Sequence, residues 1–263
     1  MEKYISKKEK ASYGFAAVGS YMVAGITQSY LMYFFTDILI IPSAFVMMLM
    51  IVARAWDALN DPMMGVIVDR TSTKYGKMRP YVLVGSFLML VTTIVLFMPL
   101  TGAPTMFKMI FAAVSYIIFG MAYTLTDVPA MGLMSVATPN SDERASLLSF
   151  YVTVGSVGSL LPVGLLTIFQ SFIPEKYVYF AMSIFVGIIT SAAYLTLFKN
   201  SKERFSTHTE KIAVRDMIKA AGKNKPMMMA LLMSMAASPR YLIMPAALYI
   251  AVSYTHLTLP TIA

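Results

Sequence analysis

Long apolar runs separated by short polar, proline-marked breaks dominate the chain. Six runs, at about 12–37, 43–68, 81–100, 107–137, 146–169 and 177–198, each supply the ~20 mainly apolar residues that a helix needs to cross a bilayer. A seventh begins near Pro226. Pro42, Pro80, Pro104, Pro139, Pro174 and Pro226 lie at or near the breaks, where helices usually stop or start. The pattern predicts an all-α membrane protein. Residues 1–198 form a six-helix bundle, 199–225 a polar loop too charged to span, and 226–251 part of a seventh helix. The last stretch, 252–263, interrupts that seventh run with polar residues. It resembles the in-frame translation of a transposase-type sequencing adapter, so a native end near Ala251 is expected.

Composition removes the alternatives to lipid as solvent. The hydrophobic fraction is 58% and only 13% of residues are charged, roughly half the charged share of a soluble domain. The chain has no Cys, which excludes disulfides and thiolate metal sites. With only His208 and His256, a histidine metal cluster is not expected. No small-residue cleavage site follows the first apolar stretch, so that stretch reads as a retained helix and not a signal peptide.

A net charge of +8 raises the question of nucleic acid, and the distribution of the charge answers it. Seventeen of the 21 Lys and Arg fall in the N-terminal tail and the segments 69–80, 138–145 and 199–225, all on one side of the predicted spans. The opposite side carries Lys108 and Lys176, while Arg54 and Arg240 fall within spans. The positive-inside rule then places the N-terminus and the 199–225 loop in the cytoplasm. That loop reads equally as a solvated basic linker or as a short surface helix with Ile212, Met217 and Ile218 on one face.

Three acids lie inside the spans, and each costs about 2.5–3.5 kcal/mol at a helix centre on insertion scales. Such residues face a bundle interior or an aqueous cavity and mark ion pathways. In span two, Arg54, Asp57 and Asp61 share one helix face by their spacing of three and four, with the Asn60 amide nearby. Hard cations prefer oxygen ligands, and close carboxylates can hold a cation or share a proton. Pro62 removes a backbone donor beside Asp61. The bland reading is a buried Arg54–Asp ion pair. One arginine cannot neutralise two carboxylates, which favours a cation site. In span four, Thr124 offers a hydroxyl and Asp127 can accept hydrogen bonds from solute hydroxyls; the alternative is that Asp127 pairs with Arg54. Tyr21 and Tyr123 are further cavity candidates. Gly155, Gly158 and Gly164 in span five are small residues that permit close helix contact.

The runs Ser12-Tyr13-Gly14-Phe15, Tyr30-Leu31-Met32-Tyr33-Phe34-Phe35-Thr36-Asp37 and Arg54-Ala55-Trp56-Asp57-Ala58-Leu59-Asn60-Asp61-Pro62-Met63-Met64-Gly65 resemble the glycoside–pentoside–hexuronide:cation symporters, of which the melibiose permeases are the best-known members. The loop from Asp69 and Arg70 through Lys74, Gly76, Lys77 and Arg79 to Pro80 is similar to that family's form of the major-facilitator inner-loop motif. The resemblance extends over about 11–251 and implies a fold of twelve helices in two six-helix halves, of which this chain supplies the first half, the central loop and most of helix seven. The C-terminal half of the same protein would be its partner, and the fragment alone would not transport.

By matching position, the resemblance assigns Asp57, Asn60, Asp61 and Thr124 to a cation site, with Asp57 and Asp61 as the Na⁺ ligands if coupling is to sodium. It assigns Asp127 to a solute hydroxyl. It casts Asp69, Arg70, Lys77 and Arg79 as ion-pairing residues of the inner gate. Three positions depart from the melibiose-type pattern: Tyr21 stands for an acid, Met131 for an aromatic residue and Val152 for an arginine. The implied function is symport of a sugar, glycoside or related polar solute with Na⁺, Li⁺ or H⁺, without a cofactor and without nucleic acid, in the cell's inner (plasma) membrane. A membrane enzyme is the weaker reading, because a serine nucleophile would have no intramembrane histidine to activate it. A channel differs by lacking saturable, ion-coupled accumulation.

Overall fold

The computed structural model describes residues 4–205 together with Lys225, Met228, Met229 and Met233. The expectations for most of the central loop, the seventh helix and the tail lie outside the described residues. Six long helices follow in order: α1 (Lys7–Tyr33, continued by a π-helical turn, Phe34–Ile38), α2 (Ser43–Arg70), α3 (Arg79–Leu96), α4 (Thr105–Ala137), α5 (Ser141–Gln170) and α6 (Glu175–Asn200). The proline breaks act as expected. Pro42, Pro104 and Pro174 occupy the cap positions before α2, α4 and α6, and Pro80 sits in the first turn of α3, where its missing N–H costs no hydrogen bond. Ser6 caps α1 by accepting from Glu9 N at 3.1 Å.

Among the described residues, α2 to α6 are long and apolar enough to cross a membrane by length and composition. Of the six expected spans, α1 is the least apolar. This helix is long enough, but it carries Lys7, Lys8, Glu9 and Lys10 and a series of buried small and polar residues that includes Ser12, Ser20 and Thr27. It is the core helix, packed against α5 and α6, while α3 packs on α4 and α6. Its interior neighbours are protein, so its surface is selected for close fit more than for lipid solubility. α2 leans mainly on α4 and is, with α5, the least buried of the five.

Small residues set the α1–α5 distance. A Cβ added at Gly158 would meet the backbone of Val18, with its carbonyl oxygen at 2.7 Å and its Cα at 2.9 Å, and one at Gly155 would meet the Tyr21 ring at 2.7 Å. Backbone cannot swing aside as a side chain can, so Gly158→Ala is expected to destabilise the bundle by roughly 1–3 kcal/mol. Gly164 departs from the sequence reading, because among the described residues a Cβ added there would meet nothing within 4 Å. Thermal unfolding in detergent should therefore separate Gly158→Ala, with a lowered midpoint, from a neutral Gly164→Ala.

The bundle has two unlike ends. One carries the segments 71–78, 138–140 and 201–205, with the basic residues Lys74, Lys77, Lys202 and Arg204. At the other, the π-helical turn runs into Ile40, at φ 55° and 73% exposed. There the buried Lys108 ammonium donates to Leu39 O at 2.7 Å, which satisfies a carbonyl at the negative end of α1.

Candidate functional site

A cavity of about 270 Å³ opens between α1, α2 and α4. Its walls follow from helix periodicity. Arg54, Asp57 and Asp61 stand on one face of α2; Gly120, Thr124 and Asp127 recur at spacings of four and three on α4; and Ala24, Thr27 and Gln28 come from α1. All three intramembrane acids thus line one space.

The acids differ in their partners. Asp57 Oδ2 lies 3.7 Å from Arg54 Nη1, with side-chain exposures of 33% and 51%, a long and partly exposed pair. The bland ion-pair reading therefore holds for one acid of the two. Gly120 gives Asp57 its room, since a Cβ there would stand 3.2 Å from Asp57 Oδ1. Asp61 accepts a hydrogen bond from Thr124 Oγ1 at 2.8 Å. The hydroxyl spends its proton on Asp61 and leaves its oxygen lone pairs free for a cation. Asp127 accepts from Ser20 Oγ at 2.9 Å and from Tyr194 Oη at 3.4 Å, and Ser20 also pairs with Tyr123 Oη at 3.1 Å. The alternative of an Arg54–Asp127 pair gives way to this hydroxyl cluster from α1, α4 and α6.

Two expected site residues lie apart from the cavity walls. Asn60 is not among the lining residues, and its amide nitrogen is buried with no hydrogen-bond partner among the described residues. It immediately precedes Asp61, and the step of about 100° per residue turns it to the flank of the face that Arg54, Asp57 and Asp61 share. Tyr21 packs edge-on against Tyr151, with ring centroids 6.3 Å apart, and fills the gap beside Gly155. Among the described residues, no group of three or more His, Cys, Asp or Glu could hold a metal ion. A cation between Asp57 and Asp61 would need hydroxyl, carbonyl or water oxygens to complete its shell.

The expected gate residues are also recast. Asp69 and Arg70 are exposed on the last turn of α2. Lys77 and Arg79 contribute backbone N–H groups that, with Met78, surround the Glu203 carboxylate. Sequence reasoning missed Ser20, Tyr194 and Glu203, and also the lining residues Thr27, Gln28 and Tyr116. Ser20 was findable as a polar residue inside an apolar run, whereas Tyr194 is indistinguishable in sequence from the other 15 of the chain's 16 tyrosines.

Comparison with known proteins agrees with this architecture. The profile of the MFS/sugar transport protein family matches residues 12–255. The uncharacterized symporter YjmB of Bacillus subtilis is 32% identical over 261 residues, covering 96% of this chain and 56% of the relative. The inner membrane symporter YicJ of Escherichia coli is 29% identical over 227 residues, covering 84% and 48%. The isoprimeverose transporter of Lactiplantibacillus pentosus is 28% identical over 225 residues, covering 83% and 47%. The chain thus spans about half the length of the relatives it matches. With the profile covering most of its length and its helices built for lipid, this multi-pass membrane chain belongs to the MFS/sugar transport protein family.

Proposed function

We propose that this chain forms the first half of a cation-coupled symporter for a sugar, glycoside or related polar solute, completed by a C-terminal half of the same protein. It sits in the cell's inner membrane with its basic end in the cytoplasm, a reading that the distribution of Lys and Arg supports. One observation carries the reading: an excess of carboxylate over cationic charge, Asp57, Asp61 and Asp127 against Arg54, on one membrane-embedded cavity. A low-dielectric site with unbalanced negative charge favours a cation, and neither Asp61 nor Asp127 has a cationic neighbour within ion-pair distance among the described residues.

The cation binds at Asp57 and Asp61 with Thr124, and Asn60 joins on a small rotation of α2. Neutralising this pair lowers the cost of moving the site between the two faces of the membrane, which is what alternating access requires. The solute meets Asp127 and Tyr123, with Tyr21 behind them. Asp127 already accepts two hydroxyl hydrogen bonds, so an incoming sugar hydroxyl exchanges with donors of the same kind. Carboxylates take Na⁺, Li⁺ or H⁺.

Counterflow in vesicles across a panel of hexosides, pentosides and uronides, each with Na⁺, Li⁺ or H⁺, tests the reading. Saturable, cation-stimulated exchange of at least one solute is expected. Exchange indifferent to every cation would overturn the coupling. In the same assay, Thr124→Ala should weaken cation activation about tenfold, the loss of one ligand oxygen and one hydrogen bond to a charged group.

A further inference from the structure

The five residues that leave α6, Ser201 to Phe205, clip the basic end of the bundle together. Glu203 accepts hydrogen bonds from three successive backbone N–H groups, Lys77 at 2.8 Å, Met78 at 2.9 Å and Arg79 at 3.0 Å. These donors open α3 and have no partner within the helix. The adjoining Gly76, at φ 105°, turns the loop around the carboxylate. A Cβ there would fall 2.4–2.5 Å from its atoms, so only glycine fits. The Arg79 guanidinium closes the joint by donating to Phe198 O at 2.7 Å and lying over the Phe198 ring. The next residue, Arg204, is bonded to Glu9 on α1 and, through its backbone N–H, to Val136 O at the end of α4.

We propose that Glu203 is a positioning residue for transport, fixing the α2–α3 loop and thereby the inner gate. This rests on the alternating-access reading above. The Glu203 joint ties the start of the chain's exit from the bundle to the loop that follows Asp69 and Arg70. While Glu203 is docked, the loop is held in one shape against α3. When it undocks, the loop is released, and the balance between conformations moves without any change at Asp57, Asp61 or Asp127. Glu203 touches neither cation nor solute.

These 263 residues contain no cysteine, and any cysteine in the rest of the full-length transporter is replaced by serine for the test. Met78→Cys is introduced into the full-length transporter, and alkylation by a membrane-impermeant maleimide is timed from the cytoplasmic side. Glu203→Ala is expected to speed alkylation roughly fivefold by raising local opening. Glu203→Asp should restore the slow rate within about a factor of two. Gly76→Ala, which displaces the carboxylate without removing it, should act in the same direction, and combining it with Glu203→Ala should add nothing, because both changes open one joint. In uptake assays Glu203→Ala should change the maximal rate severalfold while solute KM and cation activation stay at parental values. Unchanged alkylation in both Glu203→Ala and Gly76→Ala overturns the proposal, even if uptake remains cation-coupled. A shift in cation activation equal to the rate change also overturns it. A parent that moves no solute defeats the symporter reading and, with it, a positioning role in transport, while the alkylation times still report whether the joint itself exists.

Discussion

Asp61→Asn in the full-length transporter is expected to abolish cation-stimulated uptake, lowering it on the order of 100-fold or more, the equivalent of about 2.7 kcal/mol of lost cation binding. The substitution keeps the shape of the side chain and an oxygen for Thr124 Oγ1, now 2.8 Å from Asp61 Oδ1. It removes only the charge. That charge matters more at Asp61 than at Asp57, because Asp57 already has Arg54 at 3.7 Å. Asp57→Asn should therefore also uncouple, but it leaves Arg54 without its acid and so adds a positive charge to the cavity. Solute binding gives the internal control. Asp127 is held by Ser20 and Tyr194 through a separate set of bonds, and cation-independent solute binding should survive Asp61→Asn. Uptake measured against imposed Na⁺, Li⁺ and H⁺ gradients decides the matter; intact ion-dependent accumulation would sink the assignment.

Arg204→Ala is expected to be the most destabilising charge deletion in the described bundle, at about 3 kcal/mol. Glu9 is 2% exposed, and Arg204 meets both of its oxygens, Nη1 at 2.9 Å and Nη2 at 2.7 Å. This fork, first through its hydrogen bond to Glu9, raises the Arg204 pKa above its ordinary value. Deleting the guanidinium leaves a buried carboxylate with the Lys202 N–H at 3.2 Å as its remaining donor from the segment. Arg204→Lys keeps the charge but cannot form two parallel bonds, so it should fall between. Arg54→Ala is the comparison, because its pair is long and partly exposed and should be worth under about 1 kcal/mol. Thermal unfolding midpoints in one detergent would rank the three. Equal midpoints for Arg204→Ala and Arg54→Ala would show that the Glu9 pair does not hold the basic end together.

The helices were legible because the bilayer imposes a one-dimensional code. Apolar run length, proline at the breaks and basic residues in the loops need no knowledge of what packs where. The limits 43–68 and 107–137 read from the pattern agree with α2 (Ser43–Arg70) and α4 (Thr105–Ala137) to within two residues. The grouping of Asp57 with Asp61, and of Thr124 with Asp127, was legible for the same reason, since helical spacing alone puts each pair on one face. Asn60 and Tyr21 escaped because facing depends on rotation about the helix axis and on what fills the adjoining gap. Gly155 leaves space that the Tyr21 ring takes.

The basic end was illegible for a different reason. Glu9, Glu203 and Arg204 look in sequence like ordinary loop charges, and their positions 194 residues apart in the case of Glu9 and Glu203 give no local signal. Only the packing of α1 against α6 brings them within reach of one another and of the opening turn of α3. The sequence by itself determined the solvent, the number and limits of the long helices and the acids that must face inward, because each follows from the cost of placing polar groups in lipid. The tertiary structure alone decided which acid takes Arg54, which takes Thr124 and which takes the hydroxyl cluster, and it made the α6 exit a clasp. Those outcomes depend on distances between helices, and interhelical distance is set by side-chain volume at the crossings, not by the run of apolar residues along any one of them.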